Sequence, residues 1–167
     1  MKTKDIVLAG ILTAFSIMIP LWFGGVLAVT IPPFSATIAS HVPVMLAMAV
    51  NPLVAVVVGL GSALGFLLKG LPLVIVARAA MHPIFAFVGA QLVKRGVPFT
   101  GALAVTLPIH AGLEALVVLP FGFDMYSALV IVGIGTALHH AVDSAISLAV
   151  YRSLISAKVF PSVTRTA

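Results

Sequence analysis

Six long apolar segments, separated by Pro, Gly and charged residues, constrain the fold of this chain more than any other feature. They cover residues 6–23, 35–50, 53–68, 72–93, 99–119 and 127–155. A helix needs about 20 mostly apolar residues to cross a bilayer. Only 8% of the residues are charged, against about 25% in soluble domains. The sequence therefore predicts an all-α integral membrane protein, a single transmembrane domain over residues 1–167 with six helices.

Lysine and arginine are distributed unevenly between the two sides of this arrangement. With the N-terminus inside, the outer loops hold Lys69 alone. The cytoplasmic segments then hold Lys2, Lys4, Lys94, Arg95, Arg152, Lys158 and Arg165. Because basic residues concentrate on the cytoplasmic side of membrane proteins, both termini are predicted to be cytoplasmic. Most of the basic residues that give the net charge of +5 lie in these cytoplasmic segments, and we expect no nucleic-acid partner.

The segment between the first two spans, "GGVLAVTIPPFSAT" (residues 24–37), is apolar and rich in Gly and Pro. Pro32-Pro33 excludes a regular helix there. Composition allows two structures, a re-entrant or lid-like loop and a linker that rests on the outer bilayer surface. Both stay open at this point.

Polar residues recur inside the apolar spans, and most form pairs four residues apart. The pairs are Arg78/His82 on span four, His110/Glu114 on span five and His139/Asp143 on span six. Residues at i and i+4 share one helix face, and lipid offers polar side chains no partner. The three pairs are therefore expected to face the interior of the bundle, together with His41 and His140.

The depths of these residues predict a pocket in the outer half of the membrane. At about 1.5 Å of rise per residue, Arg78 and Glu114 lie in the outer half, and His110 and His139 lie near the middle. Asp143 would form the floor of this column. A buried arginine with neutral donors and acceptors suits a small polar ligand that carries an anionic group, since arginine binds a carboxylate through two hydrogen bonds.

Each residue also has an interpretation without a ligand. Arg78 and Glu114 could form a buried ion pair that only joins two helices. His140 lies on a different face from His139 and is interpreted as an interhelical hydrogen-bonding residue. Asp143 is expected to accept from His139, and His41, ahead of a proline, could serve backbone carbonyls.

Two rival functions use the same polar residues. A metal-binding membrane protein or hydrolase would take nitrogen and oxygen ligands from His82, His110, Glu114 and His139. The spacing is not that of HExxH, and Arg78 would oppose a cation, so we predict no metal. A small proton-coupled transporter would carry protons on Glu114 or Asp143. We expect no catalytic residue, no enzymatic activity and no nucleotide site in this chain, because no motif for either occurs.

Small residues mark two helices for close packing. In "VGLGSALG", Gly59, Gly61 and Gly65 are interpreted as helix contacts. On span one, Gly10 and Ala14 have small-xxx-small spacing. Spacing alone favours an internal contact for this pair, and an external helix partner is the alternative.

The whole chain resembles the substrate-binding S components of energy-coupling factor (ECF) vitamin transporters of bacteria. The resemblance rests on "GILTA", on "ASHVPVMLAM" with "NPLVAVVVGLGSALGFLLKGLPLVIVARAAMH", and on the polar sixth span. In that family an AxxxA motif on the first helix docks on the coupling subunit, and the matching positions here are Gly10 and Ala14. The first Ala is replaced by Gly, which keeps the position small.

The resemblance implies a function and a location. An S component in the bacterial cell membrane binds a small water-soluble vitamin from outside, docks on a transmembrane coupling subunit with two ATPase subunits, and topples to release it inward. The "SATIASHVP" and "VARAAMH" stretches look most like the niacin type; pantothenate, pyridoxine and a hydroxymethylpyrimidine are the alternatives. The implied site lies beneath the first loop. Its expected substrate-binding residues are His41, Arg78, His82, His110, Glu114 and His139.

Overall fold

Seven α-helices and one β-hairpin make up the part of the chain that the structure, a computed structural model, describes, residues 2–160. The helices are α1 (Thr3–Met18), α2 (Val42–Met48), α3 (Pro52–Leu68), α4 (Leu73–Ala79), α5 (His82–Lys94), α6 (Phe99–Val117) and α7 (Ile134–Ser156). The hairpin strands are β1 (Ala28–Ile31) and β2 (Phe34–Thr37). Two π-helical turns extend the long helices, Ile19–Phe23 after α1 and Ser127–Gly133 before α7, and a 3₁₀ turn, Leu119–Phe121, follows α6. Arg165, counted above with the cytoplasmic cations, lies outside the described residues.

The apolar helices agree with a protein that crosses a membrane several times. Within residues 2–160, four are long and apolar enough to do so: Thr3–Phe23, Leu73–Lys94, Phe99–Phe121 and Ser127–Ser156. Pro52–Leu68 is apolar and somewhat shorter. Large apolar side chains such as Leu53, Leu73 and Leu138 are exposed on the outer faces of the bundle, which is the surface that lipid would cover.

The prediction of a continuous helical second span over residues 35–50 is wrong. Residues 34–37 pair with β1 in an antiparallel hairpin, in which Ala28 faces Thr37 and Ile31 faces Phe34. A turn follows, and α2 begins only at Val42 and has 7 residues. Pro43 lies in the first turn of α2, where its missing N–H costs nothing. The chain therefore reaches the centre of the bundle as a strand and a turn, and the fold is not purely helical.

Helix α2 is buried on every side. All of its residues are buried, and it packs against α1, α3, α5 and α7. A helix that is apolar all round belongs inside a bundle. Its N-terminal end, with His41 as the preceding residue, is thereby fixed in the middle of the protein.

The predicted fourth span is divided into α4 and α5. Pro83 has no N–H with which to bond to the carbonyl of Ala79, and the chain makes a turn at residues 80–81. The amide of Met81 donates instead to the carbonyl of Arg78. The break allows Arg78 and His82 to approach the same carboxylate from different directions, as described below.

The glycines of α3 bring three helices together, as the sequence predicted. An added Cβ at Gly61 would lie 2.7 Å from a methyl carbon of Thr13 on α1, and one at Gly65 would lie 2.8 Å from the Ile17 backbone. On the other face, a Cβ at Gly59 would lie 2.7 Å from the nitrogen of Pro83. α3 therefore packs closely between α1 and the start of α5.

Candidate functional site

A cavity of about 360 Å³ lies between the hairpin and the helices. Its wall contains charged and polar side chains from several elements: Ser35, Thr37, Ser40, His41, Lys69, Arg78, His82, Glu114 and His139. Small-molecule sites in proteins have volumes of about 300–1,000 Å³ and a few polar groups among apolar ones. This cavity has the size and lining of a site for a small ligand.

An ion pair between Arg78 and Glu114 forms one wall of the cavity. Arg78 donates to Glu114 Oε2 from Nε at 2.9 Å and from Nη2 at 2.7 Å, while Nη1 donates to the Ser35 carbonyl at 3.1 Å. Thr136 on α7 donates to the same Oε2 at 2.6 Å. Arg78 is 6% exposed and Glu114 3% exposed. The ion pair considered above is therefore present, and each terminal nitrogen of Arg78 has a second N–H besides the one used in these hydrogen bonds.

The histidines form one compact cluster beside this pair. His41 Nε2 lies 3.2 Å from His82 Nε2. His110 Nε2 lies 3.2 Å and His82 Nε2 3.7 Å from Glu114 Oε1. Behind His110, its Nδ1 lies 3.1 Å from His140 Nδ1, and His140 Nε2 donates to the Leu103 carbonyl at 3.1 Å. His140 is thus an interhelical hydrogen-bonding residue.

Asp143 fixes the turn that leads into α2. Its carboxylate accepts from the amide of Ala39 at 2.8 Å and from the amide of His41 at 3.0 Å. His139 Nε2 lies 3.1 Å from Asp143 Oδ2, as the i, i+4 spacing predicted, and 3.1 Å from the Thr37 carbonyl. Ala39 has a φ of 70°, which costs energy for a residue other than glycine. The buried carboxylate stabilises this turn and thereby positions His41.

The hairpin covers the cavity through Phe34. This side chain is buried, and the guanidinium carbon of Arg78 lies 4.9 Å from the centre of its ring. On its other side the ring contacts α7 at Gly135, where an added Cβ would lie 2.8 Å from Phe34 Cγ. β1, in contrast, is exposed along its length. Of the two structures allowed for this segment, the structure contains a folded hairpin that lines the cavity.

All six residues predicted to bind substrate lie in this one region. Five of them, His41, Arg78, His82, Glu114 and His139, line the cavity. His110 is 0% exposed and lies behind Glu114. It therefore contacts a residue of the cavity wall and is not itself part of the wall.

Several polar residues at the site were not predicted from the sequence, among them Thr37 and Ser40 of the cavity wall. Lys69 lines the cavity and donates to the Leu21 carbonyl at 3.3 Å. Ser35 and Thr136 contact the ion pair, and Ser62 Oγ lies 2.9 Å from His82 Nδ1. Ser62 is the one hydroxyl residue in the otherwise apolar helix α3, and that isolation was a usable signal. Thr136 lies among the many polar residues of α7 and does not stand out in the sequence. The position of Lys69 depends on how the loop folds, which local sequence does not determine.

The small residues of α1 face outward. Gly10 and Ala14 are both exposed, and an added Cβ at Gly10 would meet nothing within 4 Å. The internal contact that spacing alone favoured for this pair is therefore wrong. The neighbouring face of α1 makes that contact instead, since Thr13 and Ser16 pack against Gly61.

Comparison with known proteins identifies the family of the chain. It is 34% identical to the niacin transporter NiaX of Lactococcus lactis subsp. cremoris over 177 aligned positions, which cover 96% of this chain and 78% of that protein. No family model and no solved structure matches the chain. The relationship confirms the resemblance to niacin-type S components and agrees with the apolar helices of a multi-pass cell-membrane protein. The chain belongs to the family of the niacin transporter NiaX.

Proposed function

We propose that this chain is the substrate-binding S component of an ECF vitamin importer and that its substrate is niacin, bound as the nicotinate anion. The observation that carries the proposal is the similarity to NiaX over nearly the whole chain. It is supported by a cavity beneath the hairpin that has an arginine in its wall. The chain binds and releases the vitamin and catalyses no reaction.

Arg78 is the proposed anchor for the nicotinate carboxylate. Its Nη1 and Nη2 atoms each have an N–H that is not used by Glu114 or by the Ser35 carbonyl. Two parallel N–H donors match the two oxygens of a carboxylate. Glu114 already compensates the positive charge of Arg78, so bound nicotinate adds one net negative charge to this region. Lys69, which also lines the cavity, supplies a second positive charge there.

The remaining wall suits a small aromatic ring with one ring nitrogen. Phe34 offers an aromatic surface, and His41 and His139 are polar side chains within reach of the cavity. Pantothenate also has a carboxylate for Arg78, whereas it lacks the aromatic ring. Pyridoxine and a hydroxymethylpyrimidine are neutral and would depend on the histidines and Glu114.

The proposal includes a membrane topology and partners. The chain crosses the membrane six times with both termini cytoplasmic, and the second crossing consists of β2, the turn and α2. The outward face of α1 around Gly10 and Ala14 docks on the coupling subunit of a module that has two ATPase subunits. This face is exposed and has room for a close helix contact.

Equilibrium binding to the purified chain tests the substrate. Nicotinate, nicotinamide, pantothenate, pyridoxine and hydroxymethylpyrimidine are compared by calorimetry in detergent, and molecules retained during purification are identified by mass spectrometry. We expect one nicotinate per chain and at least about a tenfold lower affinity for nicotinamide, since a charge-assisted hydrogen bond contributes about 1.5–3 kcal/mol. Tighter binding of a neutral vitamin than of nicotinate would contradict the proposal.

A further inference from the structure

Four buried ligand atoms converge at the inner end of the cavity. One ligand atom from each of His41, His82, His110 and Glu114 lies within 4.8 Å of the other three. The Nε2 atoms of His41 and His82 are 3.2 Å apart, and Glu114 Oε1 lies 3.2 Å from His110 Nε2 and 3.7 Å from His82 Nε2. A tetrahedral zinc ion with bonds of about 2.0–2.1 Å has ligand atoms about 3.3–3.4 Å apart. Three of the six separations are thus close to the spacing that such an ion requires.

Each of the three imidazoles has a polar atom close to its other nitrogen, and for His82 and His110 that atom is a hydrogen-bond partner. His82 Nδ1 lies 2.9 Å from Ser62 Oγ, His110 Nδ1 lies 3.1 Å from His140 Nδ1, and His41 Nδ1 lies 3.1 Å from Asp143 Oδ2. Metal-binding histidines almost always have such a partner, which holds the proton at the outer nitrogen and orients the ring. The His82 and His110 rings therefore suit the tautomer with the Nε2 lone pair directed inward, whereas His41 Nδ1 lies near Asp143 without a hydrogen bond.

The hydrogen bonds around His110 leave an unmatched lone pair in this cluster. His140 donates from Nε2 to the Leu103 carbonyl, so the neutral His140 ring has only a lone pair at Nδ1. His110 must then donate from Nδ1, which leaves its Nε2 as an acceptor. That atom faces Glu114 Oε1, a second acceptor, at 3.2 Å. A positive species between the two atoms resolves the conflict.

Glu114 separates this cluster from the arginine that was expected to oppose a cation. Arg78 and Thr136 both bind Oε2. Oε1 is the atom that faces the histidines. The carboxylate thus lies between the guanidinium and the converging Nε2 atoms. Asp143, which contacts His41 and His139, adds a second negative charge nearby.

We propose that His41, His82, His110 and Glu114 bind one divalent transition-metal ion of the type that prefers imidazole and carboxylate ligands in tetrahedral geometry, with Zn²⁺ the best match. The set differs from the sequence-based one by containing His41 in place of His139. Since His41, His82 and Glu114 line the cavity, the ion can enter by the route the vitamin uses. The site goes beyond vitamin binding and stands independently of it.

Metal titration of the purified chain tests this site. The full chain is prepared with an affinity tag free of histidine, treated with chelator, and titrated with Zn²⁺ and with Co²⁺ in detergent. We expect one Zn²⁺ per chain by elemental analysis after gel filtration, and the intense visible absorption bands of tetrahedral Co²⁺. Less than about a tenth of an equivalent of bound metal, or a six-coordinate Co²⁺ spectrum, would overturn the proposal.

Two histidine variants locate the site within the cluster. His110→Gln should lower Zn²⁺ affinity by at least about tenfold, the lower limit seen when even an outer partner of a metal site is lost. His139→Gln is the matched control, because His139 is outside the proposed set and belongs to a second group with His41 and Asp143. Loss of metal in His139→Gln with retention in His110→Gln would overturn the assignment. Gel-filtration profiles establish whether the two variants fold. The Co²⁺ spectrum of the wild-type chain tests the site even if neither variant folds.

Discussion

At the residue scale, Arg78 could serve either as a ligand anchor or only as the partner of Glu114. Removing one member of a buried ion pair costs about 3–5 kcal/mol, because the other charge stays buried without a partner. Arg78→Ala would thus combine a binding effect with a folding effect. Comparing a variant that removes one charge with a variant that removes both charges separates the binding effect from the folding effect.

We predict that Glu114→Gln keeps nicotinate binding, and that the double variant Arg78→Gln/Glu114→Gln loses about 10–100-fold in affinity, as expected for the loss of charge-assisted hydrogen bonds. The single variant keeps the guanidinium and an oxygen that can accept from it, and it removes the competing carboxylate. The double variant removes both charges together. Calorimetry with nicotinate in the presence of chelator measures both affinities.

Lys94→Gln, at the C-terminal end of α5 and outside the cavity wall, serves as the charge control and should bind like the wild type. Unchanged affinity in the double variant would mean that Arg78 has only the ion-pair role. Loss of binding in Glu114→Gln alone, with a gel-filtration profile and a thermal melt like those of the wild type, would assign the ligand contact to the carboxylate.

At the scale of elements, the hairpin and α7 meet at one glycine. The ring of Phe34 occupies the space that a side chain at Gly135 would take. Gly133, one half-turn earlier, has room for a methyl group, with its nearest neighbours 3.6 Å from an added Cβ. The two positions give a matched pair of substitutions on the same helix.

We expect Gly135→Ala to displace Phe34 and the hairpin and to raise the rate of nicotinate dissociation several-fold, whereas Gly133→Ala leaves it unchanged. Stopped-flow exchange of bound nicotinate measures the rates. Equal rates in the two variants would show that the hairpin does not hold the ligand. A thermal melt of each variant distinguishes this local effect from general destabilisation.

The elements differ in how far the sequence determined them. The long apolar segments were predictable, because hydrophobic length acts locally. The break before Pro83 was not predicted, since the sequence indicated one span over residues 72–93, although the missing N–H of Pro83 is a local feature. The hairpin was not, since its strands have 4 residues each and depend on contacts with Arg78 and Gly135. Likewise, i, i+4 spacing predicted that His139 contacts Asp143. It could not predict that Asp143 would bind the amides of Ala39 and His41, about 100 positions away in the chain.

At the scale of the whole molecule, orientation in the membrane can be tested by cysteine labelling. The chain has no cysteine of its own, so label found on the isolated chain reports only an introduced cysteine. We predict that a membrane-impermeant maleimide labels Lys69→Cys in intact cells and labels Lys94→Cys only after the membrane is permeabilised. The reason is the excess of basic residues assigned to the cytoplasmic side. Labelling of Lys94→Cys in intact cells would contradict the proposed topology.

Docking on a coupling subunit is also a property of the whole molecule. We predict that Gly10→Trp leaves nicotinate binding intact and abolishes uptake, because the indole fills the space needed for a close helix contact on α1. Gly112→Trp on α6, another exposed glycine with open space around it, is the matched control and should support uptake. Uptake is measured with radiolabelled nicotinate in cells that contain the ECF module. Normal uptake by Gly10→Trp, or uptake by the chain alone without the ATPase subunits, would contradict the docking role.

The central claim is that the cavity beneath the hairpin binds nicotinate through Arg78, and a structure of the purified chain with nicotinate bound tests it most directly. We predict that the carboxylate oxygens lie within about 3 Å of the terminal nitrogens of Arg78, a hydrogen-bond distance, with the ring below Phe34. A carboxylate held by Lys69 while Arg78 contacts only Glu114, or a ligand outside this cavity, would contradict the claim.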